Sequence, residues 1–84
     1  MWLKAAAHSG ATKAQLNLGL LYLAGRTLPQ NNALGMHWIE KAAQGGDNKA
    51  QTALARAYAE GLYGVQKDAD QARYWAQKAG IAFD

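Results

Sequence analysis

The chain repeats itself. The stretch from Ala14 to Gly25, AQLNLGLLYLAG, is matched 36 residues later by Ala50 to Gly61, AQTALARAYAEG. Ala14, Gln15, Leu18, Tyr22 and Gly25 fall on Ala50, Gln51, Leu54, Tyr58 and Gly61, with Ala24 against Glu60 as a mismatch. A second piece recurs around the first. Trp38-Ile-Glu-Lys-Ala-Ala43 is answered by Trp75-Ala-Gln-Lys-Ala-Gly80 and, more weakly, by Trp2-Leu-Lys-Ala-Ala-Ala7. A fixed period of roughly 20 to 50 residues marks an array of like units, each of which buries its apolar face only by stacking on its neighbours.

The spacing within each unit is helical. A short helix is predicted over 2–8, closed by Ser9-Gly10, because glycine is favoured just past a helix end. The next runs from about Ala11 to Ala24, with Ala14, Leu18 and Tyr22 four apart on one face. Gly19 lies beside that face, and a glycine inside a helix costs about 1 kcal/mol against alanine. Close approach of a neighbouring helix is the reason to accept it. Gly25 to Asn31 forms a loop that Pro29 keeps from being helical. Asn31 or Asn32 then caps a third helix reaching about Gln44, with Leu34, Trp38 and Ala42 on its inner face. Gly45-Gly46 breaks it. Asp47 or Asn48 caps a fourth helix, whose face is Ala50, Leu54 and Tyr58 and which ends at Gly61. The second loop is one residue longer than the first, since Gly25 to Gly61 is 36 residues and Trp38 to Trp75 is 37. Val65 then stands for Leu28 as a plug between the helices, and Asp68 stands for Asn31 as the cap of a fifth helix over about 68–79. Ile81 to Asp84 is a partly apolar tail that folds over the end of the stack or begins a linker.

These residues resemble the Sel1-like repeat, a relative of the tetratricopeptide repeat. The first copy supplies Ala14, Leu18, Gly19, Tyr22, Gly25, Trp38, Lys41, Ala42 and Ala43. The second supplies Ala50, Leu54, Tyr58, Gly61, Gly64, Val65, Asp68, Ala72, Trp75, Lys78 and Ala79, and the leading half-copy keeps Trp2, Ala6, Ala7 and Gly10. Departures are Ala55 where the family prefers glycine, Gly80 where it prefers alanine, Thr27-Leu28-Pro29 for the usual Gly-Val, and Gly35 at the position of Ala72. The resemblance implies an all-α, right-handed superhelix of antiparallel helix pairs, about five helices in all. It divides the single domain 1–84 into a half-repeat 1–10, repeat one 11–46 and repeat two 47–84. It also implies that the first helix of each pair lines a concave side, and that the chain is a non-catalytic adaptor of bacterial type that binds a protein or peptide. The family's signature positions are packing positions and carry no ligand residue over.

Other chemistries find little support. The net charge is +3, with lysines scattered at about one per helix and no basic stripe, so nucleic acid is not an expected partner. No apolar run approaches membrane-spanning length, and membrane insertion is not expected. Trp2-Leu3 meets Lys4 and His8 without the apolar centre of a signal peptide. Met1 directly precedes what reads as the second helix of a repeat, as in a segment of a longer protein, and the compartment stays open. Cysteine is absent, which removes disulfides and thiolate metal sites. His8 and His37 are the only imidazoles. His37 with Glu40 makes two ligands where zinc normally takes three or four, so no metal or cofactor is expected. Asp68 and Asp70 read as helix N-terminal charge rather than paired acid catalysts. Ser9, the only serine, lacks a nucleophile elbow, and Gly61 to Gly64 lacks the strand and the Gly-Lys element of a phosphate loop.

A binding surface needs residues off the packing face. In the second helix these are Lys13, Asn17, Leu20 and Leu21, and in the fourth Lys49, Ala53, Arg56 and Ala57. Leu20 and Leu21 stand against Arg56 and Ala57, which would place an apolar patch beside a cationic, small-residue patch. The plainer reading gives Leu21 to the core, facing the helix before it. Tyr22 and Tyr58 read as packed with their hydroxyls at an edge, and Trp38 and Trp75 as packed repeat positions rather than an aromatic cage. The rival to a binding role is structural, with Trp2 and the Ile81 to Phe83 tail supporting self-association through the ends of the stack.

Overall fold

A computed structural model describes residues 2–8 and 10–81. Among them are five helices: α1 (Trp2–His8), α2 (Thr12–Ala24), α3 (Asn32–Gln44), α4 (Asn48–Glu60) and α5 (Ala69–Ala79). No strand occurs among the described residues, and the body is elongated, 39 × 23 × 13 Å. The Trp2 side chain and residues 82–84 lie outside the described part, and with them most of the expected end contacts.

The helix boundaries follow from local hydrogen bonding. Asn31 caps α3 by accepting from the Leu34 N–H at 3.0 Å, and Asp47 caps α4 by accepting from the Ala50 N–H at 2.9 Å. The Asp68 carboxylate takes two N–H groups, from Asp70 and Gln71, at the start of α5. Each cap satisfies donors that an isolated helix leaves open. Gly25 and Gly61 end α2 and α4 in the left-handed region, at φ 69° and 70°. The longer second loop places Tyr63 in that region as well, at φ 58°, followed by Gly64.

Two antiparallel hairpins result. The end of α2 meets the start of α3 where the Asn31 N–H donates to the Tyr22 carbonyl at 2.9 Å, and Asp68 does the same to Tyr58 at 2.9 Å. At the other end of the second hairpin, the Asn48 side chain donates to the Ala79 carbonyl at 2.7 Å. The hairpins stack in chain order, α1 on α2 and α3 on α4. Two apolar clusters fill the stack. One joins Ala7, Ala14, Leu18 and Trp38, with Tyr22 and Leu28 packed against it. The other is built around Ile39, Leu54 and Trp75, with Tyr58, Leu62 and Val65 against it. Leu28 and Val65 thus plug equivalent places from the two loops.

Gly19 and Gly35 face each other where α2 crosses α3. A Cβ on Gly19 would sit 2.6 Å from Ile39 Cγ1 and 2.7 Å from the Gly35 carbonyl oxygen. A Cβ on Gly35 would meet Leu23 Cδ2 at 2.6 Å. The second hairpin carries buried Ala55 and Ala72 at these positions. The departures from the family pattern at Gly35 and Ala55 are therefore a matter of how closely each helix pair approaches. Leu34 differs from the expectation, being 40% exposed, while Gly35, Met36, Trp38 and Ile39 are buried. Steps of four residues advance about 40° beyond a full turn, so a stripe drawn from Ala42 back to Leu34 has rotated by about 80° and off the core.

Gly19→Ala is expected to destabilise the fold. Overpacking costs about 1–3 kcal/mol and exceeds the helix-propensity gain of about 1 kcal/mol. Urea unfolding measures the difference, and a variant more stable than the parent contradicts the close approach.

Candidate functional site

An open groove of about 490 Å³ lies between α2 and the start of α4. Lys13, Leu16, Asn17 and Leu20 line it from α2, and Asp47, Asn48 and Lys49 from the other side. Leu16 is buried and packs into the second cluster, so it forms the floor, whereas Leu20 is 45% exposed at the rim. Helix α2 carries apolar residues round most of its circumference because it has neighbours on several sides. The Asp47 carboxylate is committed to capping α4, and the Asn48 amide to Ala79. Lys13 and Lys49 have no ion-pair partner among the described residues, and the Asn17 carboxamide has no hydrogen bond there.

The structure thus brings Lys13, Asn17, Leu20 and Lys49 together and leaves Leu21, Ala53, Arg56 and Ala57 elsewhere. Leu21 is half-buried and its repeat counterpart Ala57 is wholly buried. Ala53 packs against the core. Arg56 is exposed and pairs with Glu60 at 3.7 Å. The reason is geometric. Lys13 and its repeat counterpart Lys49 both line the groove, because the first turn of α4 borders α2, whereas Ala53, Arg56 and Ala57 lie further along α4 and are not among its lining residues. Leu16, Asp47 and Asn48 were not among the surface candidates, the last two being read only as alternative helix caps. The recurrence itself held a signal for Leu16, whose counterpart Thr52 is polar and exposed.

The other groups singled out by sequence sit as follows. His8 and His37 are exposed and meet the Trp38 ring edge-on, at 4.8 and 5.4 Å between centroids. Glu40 accepts from Gln44 at 3.4 Å. No group of three or more potential metal ligands occurs among the described residues, and no helix there is long and apolar enough to cross a membrane. Asp68 is a cap and Asp70 pairs with Arg73 at 3.5 Å. Ser9 lies outside the described residues. Tyr22 and Tyr58 pack beside the loops and away from the groove.

The Sel1 repeat model matches residues 12–47 and 48–81. The chain belongs to the Sel1 repeat family. Its structure is similar to a Sel1 repeat protein from Oxalobacter formigenes, with a TM-score of 0.88 and 40% identity over 93% of this chain and 58% of that one. It is equally similar, at 0.88 and 37% identity, to a protective antigen of uropathogenic Escherichia coli strains with an SLR fold, covering 94% of this chain and 17% of the antigen. The DAP3-binding cell death enhancer 1 of Rattus norvegicus is 38% identical over 77 residues, which is 92% of this chain and 14% of the rat protein. The chain therefore spans only part of each of these relatives. The Sel1 fold is an all-α solenoid, and the family consists in general of protein–protein interaction modules.

One titration follows from the packing around Tyr58. Burial, and then the carboxylates of Glu40 and Asp68, push its phenol above the ordinary value of 10.0. A raised folded value means that the neutral phenol's contribution is present below the ordinary pKa and is lost as pH rises through the folded value. Tyr58→Phe has no proton to lose, so its urea midpoint is expected to fall less steeply than the parent's above about pH 10. Parallel pH profiles would contradict this.

Proposed function

We propose that this chain is a non-catalytic interaction module, an adaptor of the bacterial kind, which binds a segment of another protein along the α2–α4 face. The observation that carries the reading is the groove, where exposed Leu20 converges above an apolar floor with Asn17 and two lysines that have no partner among the described residues. Its volume lies within the roughly 300–1,000 Å³ of small-ligand sites. That suits a few residues of a partner chain and not a whole domain face. The name of the rat relative records binding to another protein, which is consistent with this use of the repeat. On this reading the first helix of each pair lines the recognition side, and Leu21, Ala53 and Arg56 act through packing or a neighbouring groove.

A second reading is favoured by the partial coverage of the longer relatives. In that case the chain serves as one segment of an extended solenoid, and its contacts are with further repeats or with another copy of itself.

Photo-crosslinking separates the two. A photoreactive amino acid is placed at Leu20, or as a control at exposed Gln77 on α5, and irradiated in lysate of the source organism. The module reading predicts partner adducts from position 20 that disappear with Lys49→Glu while helicity is kept. Adducts of the chain with itself alone would favour the structural reading, and adducts from position 77 alone would move the surface off the groove.

A further inference from the structure

The chemistry of the groove narrows the class of partner. This step rests on the binding role above and goes beyond it. We infer that the groove takes an extended peptide segment carrying a carboxylate side chain two residues from an aliphatic one, held by Lys13 and Lys49 at the first and by Leu16 and Leu20 at the second.

Charge is the first argument. The groove contains two ammonium groups without ion-pair partners among the described residues and one carboxylate, Asp47, already committed to the Ala50 N–H. The uncompensated charge is positive and calls for an anion. The second argument is Asn17. Its carboxamide offers a donor and an acceptor, both unpaired among the described residues, which matches the N–H and C=O of a peptide main chain and not a bare anion. The third is spacing. Lys13 and Leu20 are seven residues apart on α2, about 10 Å at 1.5 Å per residue. Leu16 is three residues from Lys13, about 4.5 Å at the same rise, so the two leucines bracket the roughly 6.6 Å that separates residues i and i+2 of an extended chain. Residues i and i+2 of an extended chain share a face, so an acid and an aliphatic residue at that spacing reach the lysines and the leucines together.

The test is an amide NMR titration of the isotope-labelled chain with defined, end-blocked hexapeptides. Glu-Ser-Leu-Ser-Glu-Ser is the probe, and Lys-Ser-Leu-Ser-Lys-Ser, Glu-Ser-Ala-Ser-Glu-Ser and inorganic phosphate are the comparisons. The acidic leucine peptide is expected to shift the amides of residues 13–20 and 47–50. Its affinity should fall about fivefold or more in a Lys13→Gln, Lys49→Gln double variant, the scale of losing two exposed ion pairs, and should weaken as salt is raised. The leucine-to-alanine peptide should bind more weakly, and the lysine peptide should leave the groove unshifted. Equal shifts with the lysine peptide, or affinity unchanged in the double variant, would overturn the acidic partner. Equal response to phosphate would reduce the groove to an anion site and overturn the peptide. Failure of the acidic probe beside partner adducts from position 20 would sink this inference and leave the module reading standing. If the adducts fail as well, both fall.

Discussion

The register between successive hairpins rests on a buried glutamine that appears twice. Gln15 donates its side-chain amide to the Ala7 carbonyl at 3.1 Å, and Gln51 donates to the Ala43 carbonyl at 3.1 Å. Each is only 7% exposed. Each acceptor lies near the end of the preceding helix, where carbonyls lose their intrahelical partners, and also takes a turn N–H from Gly10 or Gly46. A carboxamide buried this deeply must be met, and a slip of the stack by one residue would strand it. Buried alanines such as Ala42, Ala43 and Ala50 offer little shape of their own to resist such a slip. The polar bond selects one register, and close packing of small residues then follows it.

Everything used for recognition is downstream of that register. The groove exists because α2 of one unit and the first turn of α4 of the next are held at a set distance, with Leu16 beneath them. Had α4 been displaced by one turn, Lys49 would no longer converge with Lys13 and Asn17. The glutamines do not touch the groove themselves. They place it by fixing how one hairpin sits on another, and the Gly19–Gly35 crossing fixes how closely the helices of the first hairpin lie.

What could be read in advance divides along the same line. Caps and breaks are local chemistry, so Asp68, Gly25 and Gly61 marked helix ends from sequence, and of the alternatives Asn31 or Asn32 and Asp47 or Asn48 the structure uses Asn31 and Asp47. The loop insertion was visible as a difference of one between two repeat intervals, and Leu28 and Val65 were found as plugs by the same arithmetic. Gln15 and Gln51 were visible as recurring residues, yet their role was not, because the acceptor belongs to a different helix. The groove was half legible. Sequence set Leu20 and Leu21 beside Arg56 and Ala57 on one surface, whereas Leu20 lines the groove, Leu21 is half-buried, Ala57 is buried and Arg56 pairs with Glu60. Leu34 was misplaced because a straight stripe was drawn on a helix whose faces rotate.

The most direct test of this account replaces Gln51 with methionine, which keeps much of the volume and removes the hydrogen bond. Unfolding in urea, followed together with amide hydrogen exchange across α3 and α4, is the measurement. The account predicts a loss of about 0.5–1.5 kcal/mol, the net value of one such bond, with protection falling most where α3 meets α4. Undiminished stability with unchanged protection at that joint would show that apolar packing sets the register by itself, and would contradict the role given to the glutamine.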